Sequence, residues 1–241
     1  MKKNTEDLYL TFQNIKAVHF DLDGSLVDSA QAWFESEIEL LRSYGVELPV
    51  EEIRDITHDD LVGRGQWFAA QFYKEKFDLS ASVEEIRSKR IGLVKKYYGG
   101  MNLIDGAEAF LKTVAGSSLK VTLATSSPLE LTEIFIKKHG FEDYFDGVVS
   151  DDQVDESKPS PDIFLKAAQC VGAKPEESLV VEDSKNGLIA AKKAGSLCLL
   201  IPNQKFSLDS TGLLERADFV VESMSAIDLE KLRSYLPGLR G

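Results

Sequence analysis

Apolar positions along the chain fall into two regimes that change over near residue 100. After an apolar run that begins at Ile15 and reads as a short buried strand, the stretch from about Ala30 to Tyr98 shows helical spacing and no strand pattern. Trp33, Phe34, Ile38 and Leu41 predict one helix, which Gly45 stops after Tyr44. Ile53 and Ile56 predict a short second helix. Gly65 to Phe77 predicts a third, whose Trp67, Phe68, Phe72 and Tyr73 read as bundle core rather than as a substrate-stacking surface. Ser82 followed by Glu85 has the form of a capping box and opens a longer helix through Ile86, Leu93, Val94 and Tyr97, broken by Gly99-Gly100.

From Gly106 the rhythm becomes an alternation of helix and strand. A helix with Ala107, Phe110, Leu111 and Val114 leads to a strand at Lys120 to Ala124, and a helix from Pro128 to His139 leads to a strand at Gly147 to Ser150. A helix from Pro161 to Val171 leads to a strand at Ser178 to Val181, and a helix from Lys185 to Ala194 to a strand at Leu197 to Ile201. A last strand at Asp218 to Val221 precedes a C-terminal helix. Short continuous apolar strands between amphipathic helices predict a parallel sheet covered on both faces. The fold expected is an α/β, Rossmann-like parallel sheet core with an inserted α-helical cap domain. The expected division is an extension over 1–14, a core of 15–30 and 103–241, and a helical cap over 31–102. The extension carries no strong pattern and reads as flexible or laid on the surface.

Composition narrows the classes. The 241 residues suit one large or two modest domains, and 43% hydrophobic content is ordinary for a globular protein. A net charge of -12 leaves no basic surplus for nucleic-acid phosphates, which argues against a general nucleic-acid binder while leaving room for a local basic pocket. No run spans a bilayer and no apolar leader precedes the first strand, so no membrane partner is expected. Cys170 and Cys198 read as two reduced core thiols of a cytoplasmic protein. A monomer or weak dimer is expected.

The chemistry gathers at strand ends. The first strand leaves in Asp21-Leu22-Asp23-Gly24, and period-two alternation puts Asp21 and Asp23 on one side. Gly24 lets the backbone come close to whatever they hold. Unpartnered facing carboxylates repel, and a divalent cation with a preference for oxygen, Mg²⁺, resolves this. Read by itself, the same tetrapeptide is also a polar strand exit with a turn glycine. The second strand ends in Thr125-Ser126-Ser127-Pro128, with Pro128 suited to the first helical position. Hydroxyls and free N–H groups there suit an anion, while Ser127 also fits an N-cap. Lys158 lies between Pro159 and Ser157, with Pro161 beyond, in a stiffened loop after the third strand. The fourth strand ends in Glu182-Asp183-Ser184, a second carboxylate pair. His19 reads as a hydrogen-bonded core histidine, and His58 and His139 are assigned no role.

Together, Asp21-Leu22-Asp23-Gly24-Ser25-Leu26-Val27-Asp28-Ser29, Ala124-Thr125-Ser126-Ser127-Pro128, Ser157-Lys158-Pro159 and Val181-Glu182-Asp183-Ser184-Lys185-Asn186-Gly187 resemble the motifs of the haloacid dehalogenase superfamily. The resemblance covers nearly the whole chain and points to the subgroup with a helical cap after the first motif. It implies Asp21 as nucleophile and Asp23 as general acid and base. It implies Mg²⁺ held by the Asp21 carboxylate, the Asp23 backbone carbonyl and Asp183, with Glu182 behind them. Gly24, Thr125, Ser126 and Lys158 would hold the phosphoryl group. Asp23 favours a phosphate ester over a carbon–halogen substrate, because halide leaves without a proton. Where β-phosphoglucomutases carry a cap histidine this chain has Trp33, which favours a phosphatase acting on a small phosphorylated metabolite, a sugar phosphate. Gly63-Arg64 resembles the cap segment that reaches the substrate, and Arg64 is expected to touch it. Ile104-Asp105-Gly106 departs from the usual proline before the glycine, a difference confined to the hinge.

Overall fold

The computed structural model describes residues 5–56, 61–98, 100–202 and 214–238. His58 and the first four residues of the extension lie outside them. Six apolar runs form one parallel sheet: β1 (Ala17–Phe20), β2 (Lys120–Thr125), β3 (Gly147–Ser150), β4 (Ser178–Glu182), β5 (Leu197–Leu200) and β6 (Phe219–Val220), in the order β3-β2-β1-β4-β5-β6. β1 is central, with Phe20 level with Leu123 of β2 and with Val181 of β4. The order reverses at β1, so the carboxyl ends of β1, β2 and β4 open on one crevice, where such sheets bind ligands.

Alternating strand residues feed two cores. Val18, Phe20, Val121, Leu123, Leu179 and Val181 pack with α1 (Thr5–Phe12), α6 (Ala107–Ala115), α7 (Leu129–His139) and α10 (Leu229–Tyr235). Ala124, Val180, Cys198 and Leu200 pack with α8 (Asp162–Cys170) and α9 (Lys185–Ala194) on the other face. Both faces are covered, which is why the strands read as continuous apolar runs.

From Thr5 on, the extension packs against the core rather than forming a loose leader. Leu8 and Phe12 of α1 are fully buried, the Tyr9 hydroxyl accepts from the Asp228 N–H at 3.0 Å, and Phe12 meets Phe110 edge-on. Leu8 and Phe12 stand one helical turn apart, so burial of that stripe orders the helix.

Among the described residues, four helices lie between β1 and α6: α2 (Ala30–Ser43), α3 (Val50–Ile56), α4 (Gln66–Lys76) and α5 (Val83–Tyr98). They share a core of their own, with Leu40, Leu41, Ala70, Tyr73 and Ile86 buried in it. The Ser82 capping box is formed, the Glu85 N–H donating to Ser82 Oγ at 3.2 Å and the Ser82 N–H to Glu85 Oε2 at 2.7 Å. A buried pair, Arg90 with Glu37, ties α5 to α2. The aromatics of α4 divide: Tyr73 is buried, whereas Trp67 is 49% and Phe68 37% exposed, so bundle core describes only part of that run. The two chain crossings between sheet and bundle run side by side, the Asp28 N–H donating to the Asn102 carbonyl and the Ile104 N–H to the Leu26 carbonyl, each at 3.0 Å.

Two further expectations change. Pro128 has extended backbone and caps α7, which starts at Leu129, because its ψ of 152° lies outside the helical region. Of the cysteines only Cys198 is buried; Cys170 ends α8 on the exposed side. Among the described residues no helix is long and apolar enough to cross a membrane.

Candidate active site

Beyond the end of β1, the Asp21 N–H still donates to the Val181 carbonyl at 3.0 Å, so the ladder itself aims the first carboxylate. Lys158 reaches in from the loop after β3. Its fully buried Nζ donates to Asp21 Oδ1 and to Glu182 Oε1, each at 2.6 Å, and to the Ala124 carbonyl at 3.3 Å. Glu182 Oε2 accepts from the Asp183 N–H, the Ser184 N–H and the Ser184 hydroxyl at 3.0–3.1 Å. Both Glu182 oxygens are thus occupied. The Ser184 hydroxyl in turn accepts from the Gly187 N–H and caps α9.

Asp183 is different. It is buried, and no described residue donates to its carboxylate. Gly24, at φ +87°, lies so close that a Cβ there would stand 2.0 Å from Asp183 Oδ2. Only glycine meets both conditions. Oxygens of Asp21, Glu182 and Asp183 lie within 4.8 Å of one another. Burial pushes the Asp21 carboxyl up to about 8, against the pull of Lys158, and burial together with Glu182 and Asp21 pushes Asp183 well above the usual range. With Asp23 nearby, one ammonium faces four carboxylates. The set fits a divalent cation on chemical grounds: oxygen donors only, a surplus of negative charge, and one buried carboxylate with no donor.

Asp23 carries its own set of donors. Its Oδ1 accepts from the Trp33 indole at 3.1 Å and from the Tyr98 hydroxyl at 2.8 Å, and its Oδ2 accepts from the Ser127 hydroxyl at 2.6 Å. Burial and then the adjacent Asp23 charge push the Tyr98 phenol well above its ordinary value, so it stays a donor. Ser127 spends its side chain here and not on capping α7.

Thr125 is buried, its Oγ1 accepting from the Ser127 N–H at 2.9 Å, and the Ser126 hydroxyl donates to the Gly63 carbonyl at 3.0 Å. That bond is one of several holding the loop before α4 onto the sheet end. The Gln66 N–H donates to Asp151 Oδ2 at 3.0 Å and Asn186 Nδ2 to the Val62 carbonyl at 2.7 Å. A Cβ on Gly65 would lie 2.3 Å from Asp151 Oδ1. Between floor and bundle is a cavity of about 540 Å³ lined by Asp21, Asp23, Thr125, Ser126 and Asp183 below and by Trp33, Phe34, Arg54, Arg64, Gln66 and Arg90 above. Arg64 lies at this cavity with its guanidinium 4.1 Å from the centre of the Phe68 ring.

Residues 18–201 match the family of haloacid dehalogenase-like hydrolases. This chain belongs to that family. Among relatives of this hydrolase, the Bacillus subtilis protein YhcW, described as a phosphatase, is 31% identical over 92% of the chain and 98% of its own length. The phosphorylated carbohydrates phosphatase of Thermotoga maritima is 32% identical over 75% of the chain and 82% of its own. The crystal structure of CbbY from Rhodobacter sphaeroides in complex with phosphate shares the fold with a TM-score of 0.77 at 24% identity, over 90% of this chain and 99% of that one.

Asp21, Asp23, Gly24, Thr125, Ser126, Lys158, Glu182 and Asp183 therefore meet at one end of the sheet, and Arg64 stands across the cavity from them. Sequence reasoning in this hydrolase passed over Tyr98, Gln66 and the use of Ser127. A tyrosine at the last turn of a helix that re-enters the core was the available signal for Tyr98. Gln66 has none, since it is one polar residue at a helix start.

Proposed function

We propose that this hydrolase is a Mg²⁺-dependent phosphatase acting on a small phosphorylated metabolite, a sugar phosphate, by way of an aspartyl phosphate on Asp21. The observation that carries the reading is the pairing of Asp21 with Lys158 at 2.6 Å beside an Asp183 that has no donor. Mg²⁺ held by the Asp21 carboxylate, the Asp23 backbone carbonyl and Asp183 supplies positive charge to the site when bound. Asp21 Oδ attacks phosphorus as the bond to the leaving oxygen breaks, and Asp23 delivers its proton to that oxygen. Water then attacks the aspartyl phosphate, gives its proton to Asp23, and frees phosphate and Asp21. In this reading Lys158, Thr125 and Ser126 hold the phosphoryl oxygens, with Gly24 keeping the backbone near. Glu182 orients Lys158.

A cavity of about 540 Å³ suits a small metabolite, and the Thermotoga maritima relative is named for phosphorylated carbohydrates. In this reading Arg64, which lines the cavity, touches the sugar part. A mutase reading is disfavoured because Trp33 stands where the resembling mutases have a histidine, and its indole is committed to Asp23.

Release of phosphate from p-nitrophenyl phosphate tests this. It should require Mg²⁺, stop with EDTA, and fall by at least about 10³-fold in Asp21→Asn. Turnover that survives EDTA or Asp21→Asn would overturn the reading.

A further inference from the structure

We infer that Trp33, Tyr98 and Ser127 are positioning residues for Asp23, which together aim the oxygen that transfers the proton. The inference deepens the proposed function and rests on Asp23 being the group that protonates the leaving oxygen.

Three donors converge on one carboxylate from three separate elements. A carboxylate oxygen has two lone-pair sites. Trp33 and Tyr98 fill those of Asp23 Oδ1, whereas Oδ2 has only Ser127 and keeps a site for the proton it gives and takes. The clamp thus selects which oxygen of Asp23 works and fixes its direction, since an aspartate at a strand exit would otherwise turn freely about its side-chain bonds.

The donors reach Asp23 from different sides. Trp33 stands in the first turn of α2 and Tyr98 is the last residue of α5, just past the two places where the chain crosses from sheet to bundle. Ser127 comes from the sheet side, after β2. Two of the three donors therefore come from the helices that flank the chain crossings, and the third from the end of a neighbouring strand. Tyr98 is buried in the large core and the Trp33 ring stacks on the Arg90 guanidinium at 4.4 Å, so both donors are held rigidly.

Two aromatic substrates of similar size separate positioning from general damage. Benzyl phosphate releases a strongly basic alkoxide that needs a proton, and p-nitrophenyl phosphate releases a stabilised anion that does not. The quantity kcat/KM reports steps through transfer to Asp21, before water enters. In Tyr98→Phe and Trp33→Phe, kcat/KM for benzyl phosphate should fall at least about tenfold, and for p-nitrophenyl phosphate less than about threefold. Circular dichroism melts accompany each variant, and Trp33→Phe carries the test should Tyr98→Phe not fold. Equal losses on both substrates, or no loss on either, would overturn the inference. Asp23→Ala measured on the same pair tells which layer fails. If it spares benzyl phosphate, the role of Asp23 falls and the clamp with it; if it does not and the aromatic variants do, only the clamp falls.

Discussion

His19 lies two residues before Asp21 with its Nδ1 2.7 Å from Thr122 Oγ1, while its Nε2 finds no partner among the described residues. Burial lowers it from 6.5 to about 4, so it is neutral in the folded chain. The unfolded chain takes up the proton first as pH falls, so this group's share of stability is whole above 6.5 and is lost between 6.5 and 4. Two and a half units correspond to about 3 kcal/mol. Wild type should therefore lose more stability between pH 7 and pH 5 in denaturant titrations than His19→Asn does, and parallel curves for the two would refute this. That His19 is a core residue was legible from its apolar neighbours. The bond from Ser127 to Asp23 was not, because cap and ligand roles use the same hydroxyl and only the path of β2 beside β1 decides between them. The exposure of Cys170 was hidden for a similar reason: a helix's last turn can face either way.

At the scale of elements, the strands and helices of the sheet region were legible nearly to their ends, β3 and α9 at their observed bounds, since burial on both sheet faces leaves unbroken apolar runs. The helix α1 was passed over, because a stripe of Leu8 and Phe12 over two turns is too short to announce itself without the surface it covers. How α4 meets the sheet was also illegible, as it rests on backbone approach rather than side-chain pattern. Gly65 has a φ of -71°, open to any residue, so alanine there adds no backbone strain and only a methyl group against Asp151 and Ser157. Gly65→Ala should lower the melting temperature of the protein by a few degrees and lower kcat/KM on phosphorylated sugars by about 10–100-fold through misplacement of the loop before α4. Unaltered kinetics would show that this seating is dispensable.

For the whole molecule, helix–strand alternation predicts parallel strands, which bring their carboxyl ends to one edge, so the meeting of the acidic loops was legible in the sequence while the order of the strands was not. The closeness of bundle and sheet was not, since it depends on two separately folded cores fitting. The acidic cluster of Asp21, Glu182 and Asp183 has a global consequence. A cation bound only by the folded chain at about 100 times its Kd adds about 2.7 kcal/mol, or roughly 5–10 °C in melting temperature for a chain of this size. Mg²⁺ should produce such a shift over EDTA in scanning calorimetry. Asp183→Asn should raise the melting temperature in EDTA, by removing an acid that burial and its acidic neighbours disfavour, and abolish the Mg²⁺ response. A wild-type melt indifferent to Mg²⁺ would count against a cation site.

The ladder between residues 26–28 and 102–104 gives the molecule a socket. Entry and exit strands stand shoulder to shoulder, so whatever is plugged in between them can be long, short or rebuilt while the sheet beneath keeps its threading. New leaving groups can thus be met by exchanging the plug, and the phosphorus chemistry need not be invented again.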